Sequence, residues 1–353
     1  MRVLVVSDAW FPQVNGVVRT LDTLKREMEA AGHQVIMVTP DLFRSVPCPS
    51  YPEIRLALAR PSSVARLIRA AQPCAVHIAT EGPLGWAARR CCRKAGVAFT
   101  TAYHTRFPEY VQARWRVPLK LSYAVVRCFH AASSRVMVAT PTVEEELRRR
   151  GFSRLARWSR GVDTKLFHPR PEARGDDGPY AGLPRPIFLT VGRVAVEKNV
   201  EAFLSLDLPG SKVVVGDGPQ AADLRRRYPD VHFTGPRFGD DLARHYAAAD
   251  VFVFPSLTDT FGLVLLEALA SGLPVAAFPV AGPLDVVGDC AAACLDSDLG
   301  KAARAALALD PGACLDHAAR YSWRAATRQF VDNLQPLDAV SVSDRFDHLA
   351  SRA

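Results

Sequence analysis

The sequence predicts an α/β protein built from two doubly wound, parallel-sheet domains, and three observations predict it. Short, nearly continuous apolar runs recur along the chain with helical patterns between them, as expected when strands buried on both faces alternate with crossover helices. Residues 169–186 have the Pro/Gly composition of a linker, after which the pattern starts afresh. With 353 residues and 49% hydrophobic content, the chain has apolar material for two cores of ordinary size.

In the first half, Val3–Ser7 is an apolar run leading through a Pro/Gly-containing loop into a helical pattern carried by Leu21, Leu24 and Met28. Gly32 stops that helix and Val35–Val38 is the next strand, completing a β-loop-α-β unit. The same pattern returns at Ala75–Ile78, Phe99–Tyr103 and Arg135–Ala139. After the linker, strands are expected at Ile187–Val191, Lys212–Val215, Val231–Thr234, Val251–Phe254 and Val275–Phe278. The expected division is therefore a first domain over 1–168, a linker over 169–186, a second domain over 187–315 and a C-terminal helical segment over 316–353. Sheets of this kind bind ligands outside the carboxyl ends of their strands, so two of them facing one cleft direct attention to strand-end loops.

The net charge of +8 conceals an asymmetry, with residues 1–170 carrying +15 and residues 171–353 carrying −7. A basic first half suits an anionic partner such as a phospholipid surface, a nucleic acid or an acidic substrate, or the two halves attract each other. No recognised nucleic-acid-binding motif is present, so no nucleic acid is expected among the partners. Eight cysteines without any Cys-x-x-Cys point to a reduced chain rather than a disulfide or metal framework. The first residues read as a strand rather than a secretion signal, and no apolar run approaches the roughly 20 residues of a spanning helix. The expectation is a cytoplasmic protein, peripheral on the cytoplasmic face of a membrane.

The richest stretch is 255–275, where Asp259 precedes Glu267 by eight positions at the start of an apolar helix. Thr258, Asp259 and Thr260 are candidate caps and Gly272 and Pro274 candidate stops, so the helix N-terminus would offer free N–H groups and positive dipole to an anion. A carboxylate at Glu267, among leucines, needs a partner if buried. After the first strand of the second domain come Arg193 and Lys198, a planar fork and a point charge suited to a diphosphate, although for an isolated pair surface solvation is the commoner role. His104 follows an apolar strand in the first domain and could bond a sugar hydroxyl, or be a satisfied structural histidine. Gly16 alone reads as a turn, since no multi-glycine dinucleotide fingerprint surrounds it. Their joint placement at strand ends favours a ligand site.

With these motifs the sequence resembles the retaining glycosyltransferases of family 4, which have the two-domain GT-B fold. The resemblance runs from the Gly16 loop through Tyr103-His104-Thr105, Gly161-Val162-Asp163, Gly192-Arg193, Lys198 and Gly216-Asp217-Gly218-Pro219 to the Asp259/Glu267 motif. It implies that Arg193 and Lys198 hold the donor diphosphate, Glu267 the ribose hydroxyls, and Asp259, with backbone N–H groups around Phe261, Gly262 and Leu263, the donor sugar. It also implies that Gly16 lets its loop approach the diphosphate, that His104 serves the sugar, and that the C-terminal segment packs back on the first domain. The chain departs from the family at Asp259, where Glu is usual, by one methylene. A narrower likeness, in 43–58 and in Tyr103-His104-Thr105-Arg106-Phe107-Pro108-Glu109-Tyr110, is to the branch that glycosylates diacylglycerol, including sulfoquinovosyl- and glucuronosyl-diacylglycerol synthases.

The resemblance implies transfer of a hexose or hexuronic acid from a nucleotide sugar, UDP-linked, to a lipid acceptor, diacylglycerol. The alternative is a GDP-mannose-dependent mannosyltransferase acting on phosphatidylinositol-type or soluble acceptors. No cofactor is expected beyond the donor, and no metal, since neither an Asp-x-Asp nor a His/Cys ligand cluster is visible. Catalytic roles fall to His104, Asp259, Arg193 and Lys198. For membrane contact the candidates are Ser62–Ala71, where Val64, Leu67, Ile68 and Ala71 make one face beside Arg66 and Arg69, and a second cluster of Arg114, Trp115, Arg116 and Lys120. An ordinary surface helix packed on its own sheet is the competing reading of Ser62–Ala71. Within the same fold, a sugar-nucleotide epimerase or a polysaccharide phosphorylase is the rival enzyme.

Overall fold

In a computed structural model, which describes residues 1–13, 15–48, 51–337 and 345–346 except for the side chains of 51–53 and 113–114, the chain divides into two units. The first comprises Met1–Ser159 together with the described residues from Arg324 onward, and the second Arg160–Trp323. The Arg114 side chain and part of the 43–58 likeness lie outside the described residues.

The first unit runs β1 (Arg2–Val6), α1 (Gly16–Ala30), β2 (Gln34–Val38), an antiparallel hairpin of β3 (Ser45–Cys48) and β4 (Tyr51–Ala57), α2 (Pro61–Ala71), β5 (Ala75–Ile78) and α3 (Pro83–Ala95). It continues with β6 (Thr100–Tyr103), α4 (Phe107–Trp115), α5 (Leu119–His130), β7 (Arg135–Val138), α6 (Pro141–Arg149) and β8 (Leu155–Arg157). Its six-stranded sheet has the order β2-β1-β5-β6-β7-β8, parallel throughout. Successive residues of a strand point to opposite faces, and β1 feeds both cores in this way. Leu4 and Val6 join Val64, Ile68, Leu84 and Ala88 of α2 and α3, while Val3 and Val5 join Leu21, Leu24 and Met28 of α1.

The second unit runs β9 (Ile187–Val191), α7 (Val200–Leu204), β10 (Ser211–Val215), α8 (Ala221–Arg227), β11 (His232–Gly235), α9 (Gly239–Ala248) and β12 (Val251–Phe254). It ends with α10 (Leu263–Ala270), β13 (Val275–Ala277), α11 (Ala281–Val287), β14 (Ala293–Leu295), α12 (Leu299–Ala306) and α13 (Pro311–Ala318). Its parallel sheet has the order β11-β10-β9-β12-β13-β14. Both units thus have the Rossmann-like, doubly wound topology, with a switch point between β1 and β5 in one and between β9 and β12 in the other.

Two boundaries differ from the sequence reading. The stretch 169–186 packs on the second unit instead of hanging between units: Ala173 and Tyr180 are buried, Arg174 donates to Ala249 O at 2.7 Å, and Arg185 pairs with Asp250 at 2.8 Å. Asp250 also accepts the Ile187 N–H at 2.7 Å, so one carboxylate ties the stretch to the first strand it precedes. Pro/Gly composition reported the irregular backbone but not these partners. At the C-terminus, α13 stays with the second unit, where His317 Nε2 lies 2.7 Å from Val286 O. The crossing comes only with α14 (Trp323–Asn333), whose Phe330 packs against Trp158 and His77 with ring centroids 4.8 and 4.9 Å apart. Arg135 donates to Asp332 O at 2.8 Å and Leu337 N–H to Cys74 O at 2.8 Å, fixing the end of α14 to the first sheet.

For helix α2 the structure favours the second of the two readings, a helix packed on its own sheet. Its apolar face, Val64 and Ile68 with Leu67 and Ala71 beside them, is part of the first unit's own core, so that face is not free to lie among headgroups. Arg66 is exposed and Arg69 half-buried on the opposite side. No helix among the described residues is long and apolar enough to cross a membrane.

Candidate active site

The second unit gathers its candidate residues on the loops after β9, β10 and β12, three neighbouring strands at the switch point. A short 3₁₀ turn, Val196–Lys198, follows β9 and delivers Lys198, whose Nζ lies 2.5 Å from Asp259 Oδ1 on the loop after β12. The other carboxylate oxygen of Asp259, Oδ2, is buried without a hydrogen-bond partner among the described residues. Asn199, in the left-handed region at φ 51°, reverses the chain after Lys198 and donates to Pro255 O at 3.1 Å. Thr258 Oγ1 donates to Glu197 O at 3.1 Å. The two loops are therefore tied side chain to backbone on either side of the ion pair.

Thr258 and Asp259 are turned away from the following helix. Thr258 and Asp259 are engaged with the turn after β9, and α10 begins later, at Leu263, behind Gly262 in the left-handed region at φ 84°. Glycine supplies that φ without steric penalty, and as the N-cap residue it has no side chain with which to close the helix end. Phe261 is buried beside Tyr321 with ring centroids 6.1 Å apart, which anchors the approach to Gly262.

Glu267 lies in the second turn of α10 and is only 4% exposed. The buried Tyr246 hydroxyl donates to its Oε2 at 3.0 Å, the partner that a carboxylate among leucines requires. The sequence reading missed Tyr246, since nothing in the spacing of α9 connects it to α10. Arg193 is half-buried on the loop after β9. That loop is pressed by the next one: a Cβ at Gly216, φ 143°, would stand 1.9 Å from Gly192 O, and Val194 N–H donates to Asp217 O at 2.9 Å.

In the first unit Gly16 opens α1 behind Asn15, whose side chain accepts from Val17 and Val18 N–H at 3.0 Å each. A Cβ at Gly16 would meet no atom within 4 Å, so a ligand could approach the backbone there. The cap Asn15 was not singled out, although Asn before a helical pattern is the usual signal for one. His104 is half-buried, edge-on to Trp158 at 5.6 Å between ring centroids. Asp8, also overlooked, is buried at the switch point between β1 and β5. It accepts from Leu84 N–H at 2.8 Å, Gly85 N–H at 3.1 Å and Thr80 Oγ1 at 2.9 Å, and burial raises its carboxyl above the ordinary value. The candidates of the second membrane cluster are exposed where described: Trp115 (56%) ends α4, Arg116 follows it and Lys120 lies in the first turn of α5. Leu121 (59%) and Val125 (51%), one turn apart on α5, extend this outward face.

Among the described residues no group of three or more His, Cys, Asp or Glu side chains is placed to hold a metal ion. What the second unit does present is a cationic side chain, an acidic one and a helix N-terminus at one switch point, the elements of a site for an anionic, hydroxyl-bearing ligand.

Comparison with known proteins agrees with that chemistry. The family model "Glycosyltransferase Family 4" matches residues 14–166 and "Glycosyl transferases group 1" matches residues 185–309. The chain is 32% identical over 308 residues to a GDP-mannose-dependent alpha-mannosyltransferase of Mycobacterium tuberculosis, covering 81% of each chain. It is 32% identical over 310 residues to the sulfoquinovosyl transferase SQD2 of Arabidopsis thaliana, covering 80% of this chain and 60% of that one. To the alpha-monoglucosyldiacylglycerol synthase of Streptococcus pneumoniae it is 29% identical over 316 residues, covering 78% and 71%. Among solved structures, sucrose-phosphate synthase from Thermosynechococcus elongatus aligns over the whole of both chains with a TM-score of 0.68 at 21% identity, a likeness of fold. Two Rossmann-like units in one chain, two matching family models and relatives 32% identical over 80–81% of it make this chain a member of glycosyltransferase family 4, an enzyme of the GT-B fold.

Proposed function

We propose that this glycosyltransferase moves a hexose or hexuronic acid from a UDP-linked donor to diacylglycerol, with retention of configuration, without a metal or other cofactor, while bound peripherally to the cytoplasmic face of an anionic membrane. The observation that carries the donor half is the Lys198–Asp259 pair beside the glycine-led start of α10. Departure of a nucleoside diphosphate leaves negative charge on the leaving group as the anomeric carbon becomes oxocarbenium-like. Lys198, Arg193 and the α10 N–H groups supply the opposing positive charge. Asp259 Oδ2, a buried acceptor without a protein partner among the described residues, suits a sugar hydroxyl. Glu267, held by Tyr246, is assigned to the ribose hydroxyls, and Gly16 and His104 to the diphosphate loop and the sugar.

The diacylglycerol acceptor is supported by the likeness to the monoglucosyldiacylglycerol synthase and by the outward face of α4 and α5, where Trp115, Leu121 and Val125 stand among Arg116 and Lys120. A second reading, GDP-mannose as donor with a phosphatidylinositol-type or soluble acceptor, is favoured by the likeness to the mycobacterial mannosyltransferase. NMR of the product formed with and without EDTA tests the chemistry. The same anomeric configuration as the donor, at an unchanged rate in EDTA, is expected; inversion or loss of activity in EDTA rejects it.

A further inference from the structure

A groove of about 660 Å³ in the first unit, apart from every residue assigned above, opens between the start of α2 and one face of α3. Pro61 stands on the α2 side, and Trp86, Arg90, Arg93 and Lys94 line the α3 side. Neither helix contains an acidic residue. Arg90, Arg93 and Lys94 are exposed and have no ion-pair partner among the described residues. The α2 N-terminus adds to the same potential, since Arg60 at its N-cap makes no side-chain capping bond and its first turn holds no acid. The fourth cation of α3 plays a different part. Arg89 is buried, donates to Phe129 O at 2.8 Å and Cys128 O at 2.7 Å, and lies over the Trp86 ring at 5.0 Å, fixing the indole as a wall.

Concentrated positive charge beside an indole is the chemistry of a membrane-interface anion site rather than that of a free ion. Leu58, 61% exposed on the segment entering α2, adds apolar surface near the groove. We propose that the α2–α3 groove binds the phosphate of an anionic phospholipid headgroup, with Arg90, Arg93 and Lys94 as its ligands and Trp86 against the glycerol. This rests on the peripheral-membrane part of the proposed function and deepens it, and it holds for whichever donor and acceptor the enzyme uses.

The test uses the full chain and vesicles of phosphatidylcholine with or without phosphatidylglycerol. Each cation near an anionic surface contributes enough that removing all three (R90A/R93A/K94A) should weaken binding to phosphatidylglycerol vesicles roughly a hundredfold. Removing three exposed arginines elsewhere on the first unit (R26A/R148A/R149A) should change it little. Short-chain phosphatidylglycerol should quench tryptophan fluorescence saturably in the wild type, and inorganic phosphate at the same concentration should not compete. Equal losses in both triple variants would mean diffuse electrostatics, and effective competition by inorganic phosphate would mean a free-anion site; either overturns the proposal. Transfer in detergent without anionic lipid should stay at the wild-type rate in R90A/R93A/K94A. A fall there would put the groove in the reaction itself and also overturn it.

Discussion

Lys198 Nζ and Asp259 Oδ1, 61 positions apart in sequence, meet at 2.5 Å and join the loops after β9 and β12. Removing Lys198 leaves Asp259 a partly buried carboxylate without its ion-pair partner, which is costly. Lys198→Ala should lower kcat by roughly 10²–10³-fold through lost stabilisation of the leaving diphosphate. Steady-state kinetics with the cognate donor reads this directly, and a kcat within a few-fold of wild type would remove Lys198 from the chemistry.

Glu267 depends on Tyr246. Tyr246→Phe removes a donor to a buried carboxylate and should destabilise the donor complex by about 1–3 kcal/mol, seen as a higher donor KM. Glu267→Ala should be more severe and cripple turnover. Wild-type kinetics in Glu267→Ala would reject the assignment to the donor.

Gly216 is a packing requirement. Gly216→Ala places a Cβ against Gly192 O and a side chain on backbone at φ 143°, so the two loops must separate. Denaturant unfolding should show a loss of about 1–3 kcal/mol, accompanied by weaker donor binding because Gly192 adjoins Arg193.

Asp8 holds the start of α3. Asp8→Ala forfeits its bonds to Leu84, Gly85 and Thr80 and should destabilise the protein by about 1–2 kcal/mol, with Asp8→Asn intermediate since an amide oxygen still accepts. Equilibrium unfolding distinguishes these variants.

His245 gives the fold an acid limit. Burial lowers its imidazole from 6.5 to about 4, and Nδ1 lies 3.0 Å from the Tyr180 hydroxyl. Between those values the unfolded chain binds a proton that the folded chain does not. This contribution is therefore complete above about 6.5 and is lost as pH falls toward about 4. Denaturant midpoints across that window should fall for the wild type and fall less for His245→Gln.

The strands were legible because parallel strands buried on both faces must be continuous apolar runs: Ile187–Val191 and Val251–Phe254 match their sequence limits. Of the three-residue strands, β13 lies in the apolar run Val275–Phe278 and was legible, whereas β8 and β14 contain no β-branched residue and were not, and the β3–β4 hairpin is interrupted by prolines. At the site, residue types and spacing drew attention to Lys198, Asp259 and Glu267, but their pairing partners come from other elements and left no local trace. The capping of α10 was misread because a left-handed glycine ended the loop while Thr258 and Asp259 served the neighbouring turn. The apolar stripe of α2 fitted a membrane and a core equally well, and only packing against the sheet decides between them.

The most direct measurement is mass spectrometry of lipids extracted after incubating the purified enzyme with diacylglycerol or phosphatidylinositol vesicles and a panel of UDP- and GDP-sugars. A hexosyl- or uronosyl-diacylglycerol formed from a UDP-sugar is the predicted product. Mannosylated phosphatidylinositol from GDP-mannose, or donor turnover with no lipid product, would contradict the assignment of donor and acceptor.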